Sequence, residues 1–227
     1  MSKALIVFAK RPSAGRVKTR LTPLLSPEDA AGLYHCMLLD ILAKTGQMTA
    51  VDRLLFYEQG EGAPEFFAET VEGASYPQEG EGLGERLAAA FDRAFGLGYG
   101  AVAVIGTDSP HLPAAFIEQT FDLLNDPRVD AVFGPAEDGG YYLLAMKRLH
   151  RELFEGIAWS TPEVLKESLA RAAAAGIATV LLPLWHDVDT AADLLRPELV
   201  DPSNGAPLTR EFILRHPPRS PAAPGGR

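Results

Sequence analysis

Ala101-Val102-Ala103-Val104-Ile105 runs directly into Gly106-Thr107-Asp108-Ser109-Pro110. The apolar run reads as the strongest strand in the chain, and the Gly ends it. A parallel strand that stops at a Gly and is followed by an exposed Asp delivers that carboxylate to the carboxyl edge of the sheet. Open α/β sheets bind their ligands at that edge. The flanking sequence repeats the alternation. Upstream lie a strand at Lys3–Ala9, a helix from Ser26-Pro27-Glu28-Asp29 to about Gly46, a strand at Arg53–Tyr57 and a helix at Leu83–Phe95. Ser26 is the N-cap of that first helix and Pro27 its first residue. Ala30, Leu33, Tyr34, Met37, Leu38, Ile41 and Leu42 form its buried face.

Downstream, Pro113–Asn125 reads as a helix and Val129–Phe133 as a strand that ends in Gly134-Pro135-Ala136-Glu137-Asp138-Gly139-Gly140. Tyr141–Met146 resumes as a strand, placed at the far side of the sheet. A helix from Thr161 to Ala175 leads to a strand at Ile177–Pro183, which delivers Trp185-His186-Asp187-Val188-Asp189-Thr190. A short helix, Ala191–Arg196, follows. Strands alternating with helices predict an α/β domain with a mostly parallel sheet and helices on both faces. Beyond it, seven of the 18 prolines fall in 197–227. This stretch is expected to be a tail that wraps the domain or is partly disordered, in which Phe212, Ile213 and Leu214 are able to dock.

With 227 residues, 47 % of them apolar, the chain can bury a full core. Its net charge of −9 argues against binding a nucleic-acid polymer or an anionic membrane surface, and no apolar run is long enough to span a bilayer. One cysteine, Cys36, leaves no internal disulfide, and no leader is recognised ahead of Ala4, so a cytoplasmic location is expected. The charge is unevenly spread. Six of the 21 Lys and Arg precede residue 28 with no acid among them, so that stretch carries +6 and the remainder −15. Lys10, Arg11, Arg16, Lys18 and Arg20 cluster around Gly15 in KRPSAGRVKTRL, just after the first strand. Cations and backbone N–H groups at such a turn suit a compact anion, phosphate above all, although a solvated basic loop explains the spacing equally well.

Asp108, Asp138 and the pair Asp187/Asp189 all follow predicted strands, so a parallel sheet brings them to the edge that carries the basic loop. A hard cation such as Mg²⁺ takes one or two carboxylates and completes its shell with phosphate oxygens. Each acid alone reads more readily as a turn or cap residue; their joint placement favours a site. Other chemistries find little support. Ser109 lacks a nucleophile elbow, Lys18-Thr19 lacks the Gly spacing of a Walker motif, and His35, His111, His150, His186 and His216 show no zinc-ligand spacing.

KRPSAGRVKTRL followed by SPEDAAGLYHCMLLDIL resembles the amino-terminal segment of phospholactate guanylyltransferases. GTDSPHLP, GPAEDGGYYLLAM and WHDVDTAADL look like a bacterial group in the same superfamily, described as predicted GT-A glycosyltransferases or nucleotide-diphospho-sugar transferases. The resemblance spans about residues 3–196 and implies a single GT-A domain over 1–196, three-layered with a mixed, mainly parallel sheet and a divalent ion, Mg²⁺ or Mn²⁺. By this likeness Asp108 is the first metal carboxylate, Asp189 the second, and Lys10, Arg11, Arg16, Lys18 and Arg20 hold the nucleotide's phosphates. The sequence departs from the Gly-rich LxAGGxxxRMG form of related guanylyltransferases. It also lacks an Asp-x-Asp at Asp108, because Pro110 occupies the second position.

Three readings stand. The favoured one is nucleotidyl transfer from a nucleoside triphosphate to a small phosphorylated or hydroxyl acceptor. Pyrophosphate leaves, five cations suit a triphosphate, Asp138 orients the acceptor or a metal-bound water, and Tyr141 or Tyr142 contacts the acceptor. The second is glycosyl transfer from a nucleotide-sugar, with Asp138 or Asp187 as base. The third is a nucleotide-binding module without catalysis.

Overall fold

The computed structural model describes residues 1–22 and 24–217 and divides the chain into two compact units. Pro23 and residues 218–227, the end of the expected tail, lie outside the described residues. The regular elements are β1 (Lys3–Ala9), α1 (Pro27–Gly46), β2 (Asp52–Tyr57), α2 (Ala63–Thr70), β3 (Ser75–Pro77), α3 (Leu83–Gly96), β4 (Ala101–Ile105), α4 (Ala114–Leu124), β5 (Ala131–Pro135), β6 (Tyr141–Met146), α5 (Val164–Ala174), β7 (Thr179–Leu181) and α6 (Pro207–Arg215).

The first unit takes Met1–Arg11, Thr45–Gly106 and Ala114–His186, and holds the seven strands found among the described residues, in the order β3-β2-β1-β4-β6-β5-β7. Strand side chains alternate between faces, and here both faces are covered. On one face Ala4, Ile6, Val102 and Val104 pack with Leu87 and Phe91 of α3 and Ala172 of α5. On the other, Tyr57 stacks on Phe67 of α2 at 5.2 Å, and the Lys3 ammonium lies 5.5 Å from the ring centre of Phe121 on α4. This is a three-layer α/β arrangement. It explains why β4 reads as continuously apolar: all five of its residues are buried, as expected for a strand with helices on both sides.

β6 corrects the sequence expectation. It lies between β4 and β5, antiparallel to both, and not at the far side of the sheet. The Ala136–Gly140 turn folds the chain straight back, with Ala136 N–H donating to Gly140 O at 3.0 Å, so β6 pairs beside β5. Tyr142–Met146 are buried throughout, which suits a central strand. The chain then returns through α5 to set β7 parallel to β5. Three-residue β3 lies within the acidic, Gly-rich stretch 58–85; it pairs parallel to β2 at the sheet edge and ends in Pro77, where a missing donor costs nothing.

Of the described residues, the second unit takes Pro12–Lys44, Thr107–Pro113 and the chain from Asp187 to Pro217. Its core joins Leu21, Leu25, Ala30, Leu33 and Met37 to Val188, Leu194, Leu199 and Ile213. α1 starts as its sequence dictates: Ser26 Oγ accepts from Asp29 N–H at 3.0 Å and donates to Asp29 Oδ2 at 2.9 Å. Half-buried Cys36 is a free thiol whose pKa is pushed up by burial and by nearby Asp40, so it is poorly nucleophilic. Of the three tail residues expected to dock, Ile213 is buried and Phe212 packs against the core, while Leu214 is exposed.

α6 is fastened at its N-terminus by a buried acid. Asp40 of α1 accepts from Leu208 N–H at 3.1 Å and from Thr209 N–H at 2.8 Å. Helix N-termini carry unpaired N–H groups and favour negative charge, so this carboxylate acts as a cap supplied from another helix. Asp40→Ala is expected to cost about 1–2 kcal/mol and to release α6 first. Amide hydrogen exchange across 207–215 tests this: unchanged protection there would contradict it. Among the described residues, no helix is long and apolar enough to cross a membrane.

Candidate active site

Lys18 lies at the centre of the second unit's polar cluster. Its Nζ donates to Asp108 Oδ1 and, at 2.6 Å, to Asp189 Oδ1. The lysine side chain is 3 % exposed, whereas Asp108 and Asp189 remain 47 % and 40 % exposed. Burial alone would lower the lysine's ionisation, but Asp108 and then Asp189 outweigh it and raise it well above the usual range. Lys18 is therefore held as an ammonium. Its backbone is left-handed (φ 50°, ψ 36°), a conformation that costs a non-glycine residue about 1 kcal/mol, and it starts the short 3₁₀ turn Thr19–Leu21. Leu21 at the end of that turn is fully buried, which anchors the loop while Lys18 turns inward.

Alternation brings the acids there. In Asp187-Val188-Asp189, Val188 is fully buried in the apolar core, and its N–H donates to Asp108 O at 2.8 Å. That bond ties the Asp108 loop to the Asp187–Asp189 segment. Asp193 fixes the segment from behind, because its Oδ2 accepts from Asp189 N–H (3.1 Å), Thr190 N–H (2.7 Å) and Thr190 Oγ1 (2.8 Å). Asp187 accepts from Ser109 Oγ. Burial, with Asp108 beside it, pushes the Asp187 carboxyl up to about 7, against the Ser109 hydrogen bond that lowers it. Two carboxylates thus share one ammonium by direct contact, and the buried Asp187 beside them holds its proton more tightly than an ordinary carboxyl.

The arrangement has the chemistry of a cation site. The Lys18 ammonium stands where a positive charge touches one oxygen from each of two partly exposed carboxylates. Hard oxygen donors of this kind suit Mg²⁺ or Mn²⁺ when phosphate oxygens and water complete the shell. Asp108 and Asp189 are therefore the residues able to hold such an ion. Among the described residues, no three or more His, Cys, Asp or Glu are grouped to hold a metal by themselves.

The other candidate residues are distributed between the units. Arg16 and Arg20 are exposed in the second unit with Lys18, and Gly15 there has φ 73° with open space at its Cβ position. Exposed Lys10 and Arg11 belong to the first unit, where Arg11 Nη1 donates to Glu61 O at 2.6 Å. Asp138 also belongs to the first unit; it is exposed and its Oδ1 accepts from Gly140 N–H at 2.9 Å, within the β5–β6 turn. The Tyr142 hydroxyl donates to Pro183 O at 3.0 Å, while that of Tyr141 is buried without a hydrogen-bond partner. His186 is buried and stacks on Trp185 at 5.6 Å. Ser109, Tyr34 and Asp193 lie within the stretches that carry the family resemblance but gained no role from it, and Lys44 lies outside them; their contacts with the Asp108 loop and the Asp187–Asp189 segment appear only in the fold.

The Asp138 turn tolerates no side chain at Gly139. Its φ is 89°, and a Cβ there would meet Pro162 O at 2.0 Å. Leu165 N–H donates to Gly139 O at 2.9 Å, so the turn is bound to the start of α5. Gly139→Ala is expected to lose about 1–3 kcal/mol in a denaturant melt through forced displacement of this contact. A wild-type melting curve would contradict this packing.

A sequence profile for proteins described as uncharacterized and conserved in bacteria, DUF2064, matches residues 41–161. No curated protein sequence matches the chain. Among solved structures, a protein from Desulfovibrio desulfuricans G20, provisionally named a nucleotide-diphospho-sugar transferase, is 31 % identical with a TM-score of 0.83, over 95 % of this chain and 99 % of that one. CMP:2-keto-3-deoxy-manno-octonic acid synthetase, solved with CTP, is 16 % identical with a TM-score of 0.56, over 86 % of this chain and 95 % of that one. The inositol-1-phosphate CTP transferase from T. maritima is 13 % identical with a TM-score of 0.52, over 93 % of this chain and 96 % of that one. At those identities the last two share the fold alone. The mixed seven-stranded sheet is that of the nucleotide-diphospho-sugar transferases, the fold expected from the sequence.

Proposed function

This chain belongs to the bacterial family DUF2064, and we propose that it is a transferase that moves a nucleotidyl group from a nucleoside triphosphate to a small phosphorylated or hydroxyl acceptor, releasing pyrophosphate. The observation that carries the reading is the buried Lys18 ammonium between Asp108 and Asp189. In this reading Asp108 and Asp189 hold Mg²⁺ or Mn²⁺, which when bound neutralises phosphate charge and polarises the bond to the α-phosphorus. Lys18 and the exposed Arg16 and Arg20 of the same unit neutralise the triphosphate, with the Gly15 turn beside them. The protein positions charge and needs no covalent nucleophile. A cytoplasmic location, where nucleoside triphosphates are abundant, belongs to the same reading.

Glycosyl transfer from a nucleotide-sugar is the second reading, favoured by the name given to the Desulfovibrio protein. One fold hosts both chemistries, so the substrate must decide. Thermal-shift titration with Mg²⁺, a panel of nucleoside triphosphates and a panel of nucleotide-sugars, followed by a pyrophosphate-release assay, separates them. A triphosphate at about 100 times its Kd is expected to stabilise the fold by about 2.7 kcal/mol, with pyrophosphate formed once an acceptor is added. Stabilisation by a UDP- or GDP-sugar and by no triphosphate would overturn the first reading. Binding without turnover of any acceptor leaves a non-catalytic module.

A further inference from the structure

We propose that Lys44 and Tyr34 of α1 are positioning residues that hold the Asp108–Ser109 loop, and so set the Asp108 carboxylate against Lys18. The role in catalysis rests on the reading of Asp108 and Asp189 as the cation pair; the positioning itself rests on geometry. Lys44 Nζ donates to Pro110 O and to Leu112 O, each at 2.6 Å. Tyr34 Oη and Thr107 Oγ1 share a buried hydrogen bond of 2.7 Å. The two grips flank Asp108 and Ser109, whose side chains reach Lys18 and Asp187 respectively. Ten residues separate Tyr34 from Lys44, about 15 Å along a helix axis, so α1 holds the loop at two distant points.

The loop's burial makes these donors necessary. Thr107, Ser109, Pro110, His111 and Leu112 are all buried, and buried carbonyls require partners. Proline at 110 also has no N–H with which to form a local turn bond. A lysine in the last turn of a helix ordinarily extends its ammonium into water. Lys44 instead spends it on two carbonyls of a single loop, at a desolvation cost that pushes its ionisation down to about 8 despite Asp40 nearby. Arranged in this way, α1 acts on the acid through the loop backbone and touches no reacting atom.

The test reads the site in folded protein, well below the melting temperature. Mn²⁺ affinity is measured by electron paramagnetic resonance for wild type, Lys44→Met, Lys44→Arg and Tyr34→Phe, with the Lys18 ammonium followed by ¹H–¹⁵N NMR. Lys44→Met is expected to weaken Mn²⁺ binding roughly tenfold and to speed proton exchange at the Lys18 ammonium, with Tyr34→Phe moving both in the same direction by a smaller factor. Lys44→Arg, which keeps the donors, restores most of each. Tyr34→Phe removes one hydroxyl and keeps the question open to experiment if Lys44→Met does not fold. Folded variants with wild-type Mn²⁺ affinity and an unchanged Lys18 resonance would overturn the positioning role. Wild type that binds no Mn²⁺ would overturn the cation reading alone, and the Lys18 resonance then decides the positioning by itself.

Discussion

Asp108→Asn is expected to lower metal-dependent turnover by about 10³-fold while leaving the fold in place. The substitution removes one of the two charges that would hold the cation, at the point where charge develops on the phosphates. Folding survives because Lys18 keeps its bond to Asp189 at 2.6 Å, and the Asn amide oxygen remains a neutral acceptor. Pyrophosphate release and a thermal melt on the same preparation measure the two halves of this expectation. Full activity in the variant would remove Asp108 from the chemistry.

Removing both carboxylates should have the largest effect on stability. In Asp108→Asn/Asp189→Asn the Lys18 side chain, 3 % exposed, keeps its charge without its two hydrogen-bonded counter-ions. Stranding a buried charge in this way costs about 3–5 kcal/mol, and Asp187 nearby supplies a residual counter-charge that places the loss at the lower end. The pH dependence follows from the sign of the shift. In wild type the folded lysine titrates above its unfolded value of 10.5, so the stabilisation is complete below pH 10.5 and fades only as pH climbs through the higher folded value. In the double variant burial outweighs the residual Asp187 charge and drops the folded value below 10.5. The unfolded chain then binds more protons at alkaline pH, and the variant gains stability as pH rises toward 10.5. Urea melts at pH 7 and pH 9.5 should show a deficit that narrows. A deficit below about 1 kcal/mol at pH 7 would mean that Lys18 is not held by these acids.

Much of the fold was legible because local signals and tertiary context agree. β1, β4 and β6 are short apolar runs bounded by breakers, and α1 carries both a Ser26 cap and a periodic apolar face. Position within the sheet was less legible. β6 is apolar enough for any buried place, and only the tight Ala136–Gly140 turn and its pairing with both neighbours put it between β4 and β5. α6 was hidden in a proline-rich stretch because its fastening, Asp40, lies 168 residues away from Leu208.

The site shows the same division. Asp108 and the alternation Asp187-Val188-Asp189 stood out as acids after strands, since Val188 had to choose the core and its neighbours could not. Lys18 was one of five similar cations in the sequence. Its inward turn depends on the left-handed backbone at Lys18 and on the burial of Leu21 beyond it, neither of which a charge count contains. The positioning residues were still less visible, because Lys44 acts on backbone carbonyls, whose locations no sequence motif records.

The most direct test of the central claim, that Asp108 and Asp189 around Lys18 form the cation and triphosphate site, is the Mn²⁺ affinity of the intact protein with and without a nucleoside triphosphate. The account predicts that a productive triphosphate raises Mn²⁺ affinity at least about tenfold, by adding phosphate oxygens to the two carboxylates, and that Asp108→Asn abolishes the rise. Mn²⁺ affinity that is indifferent to every triphosphate, or a rise that persists in Asp108→Asn, would contradict it.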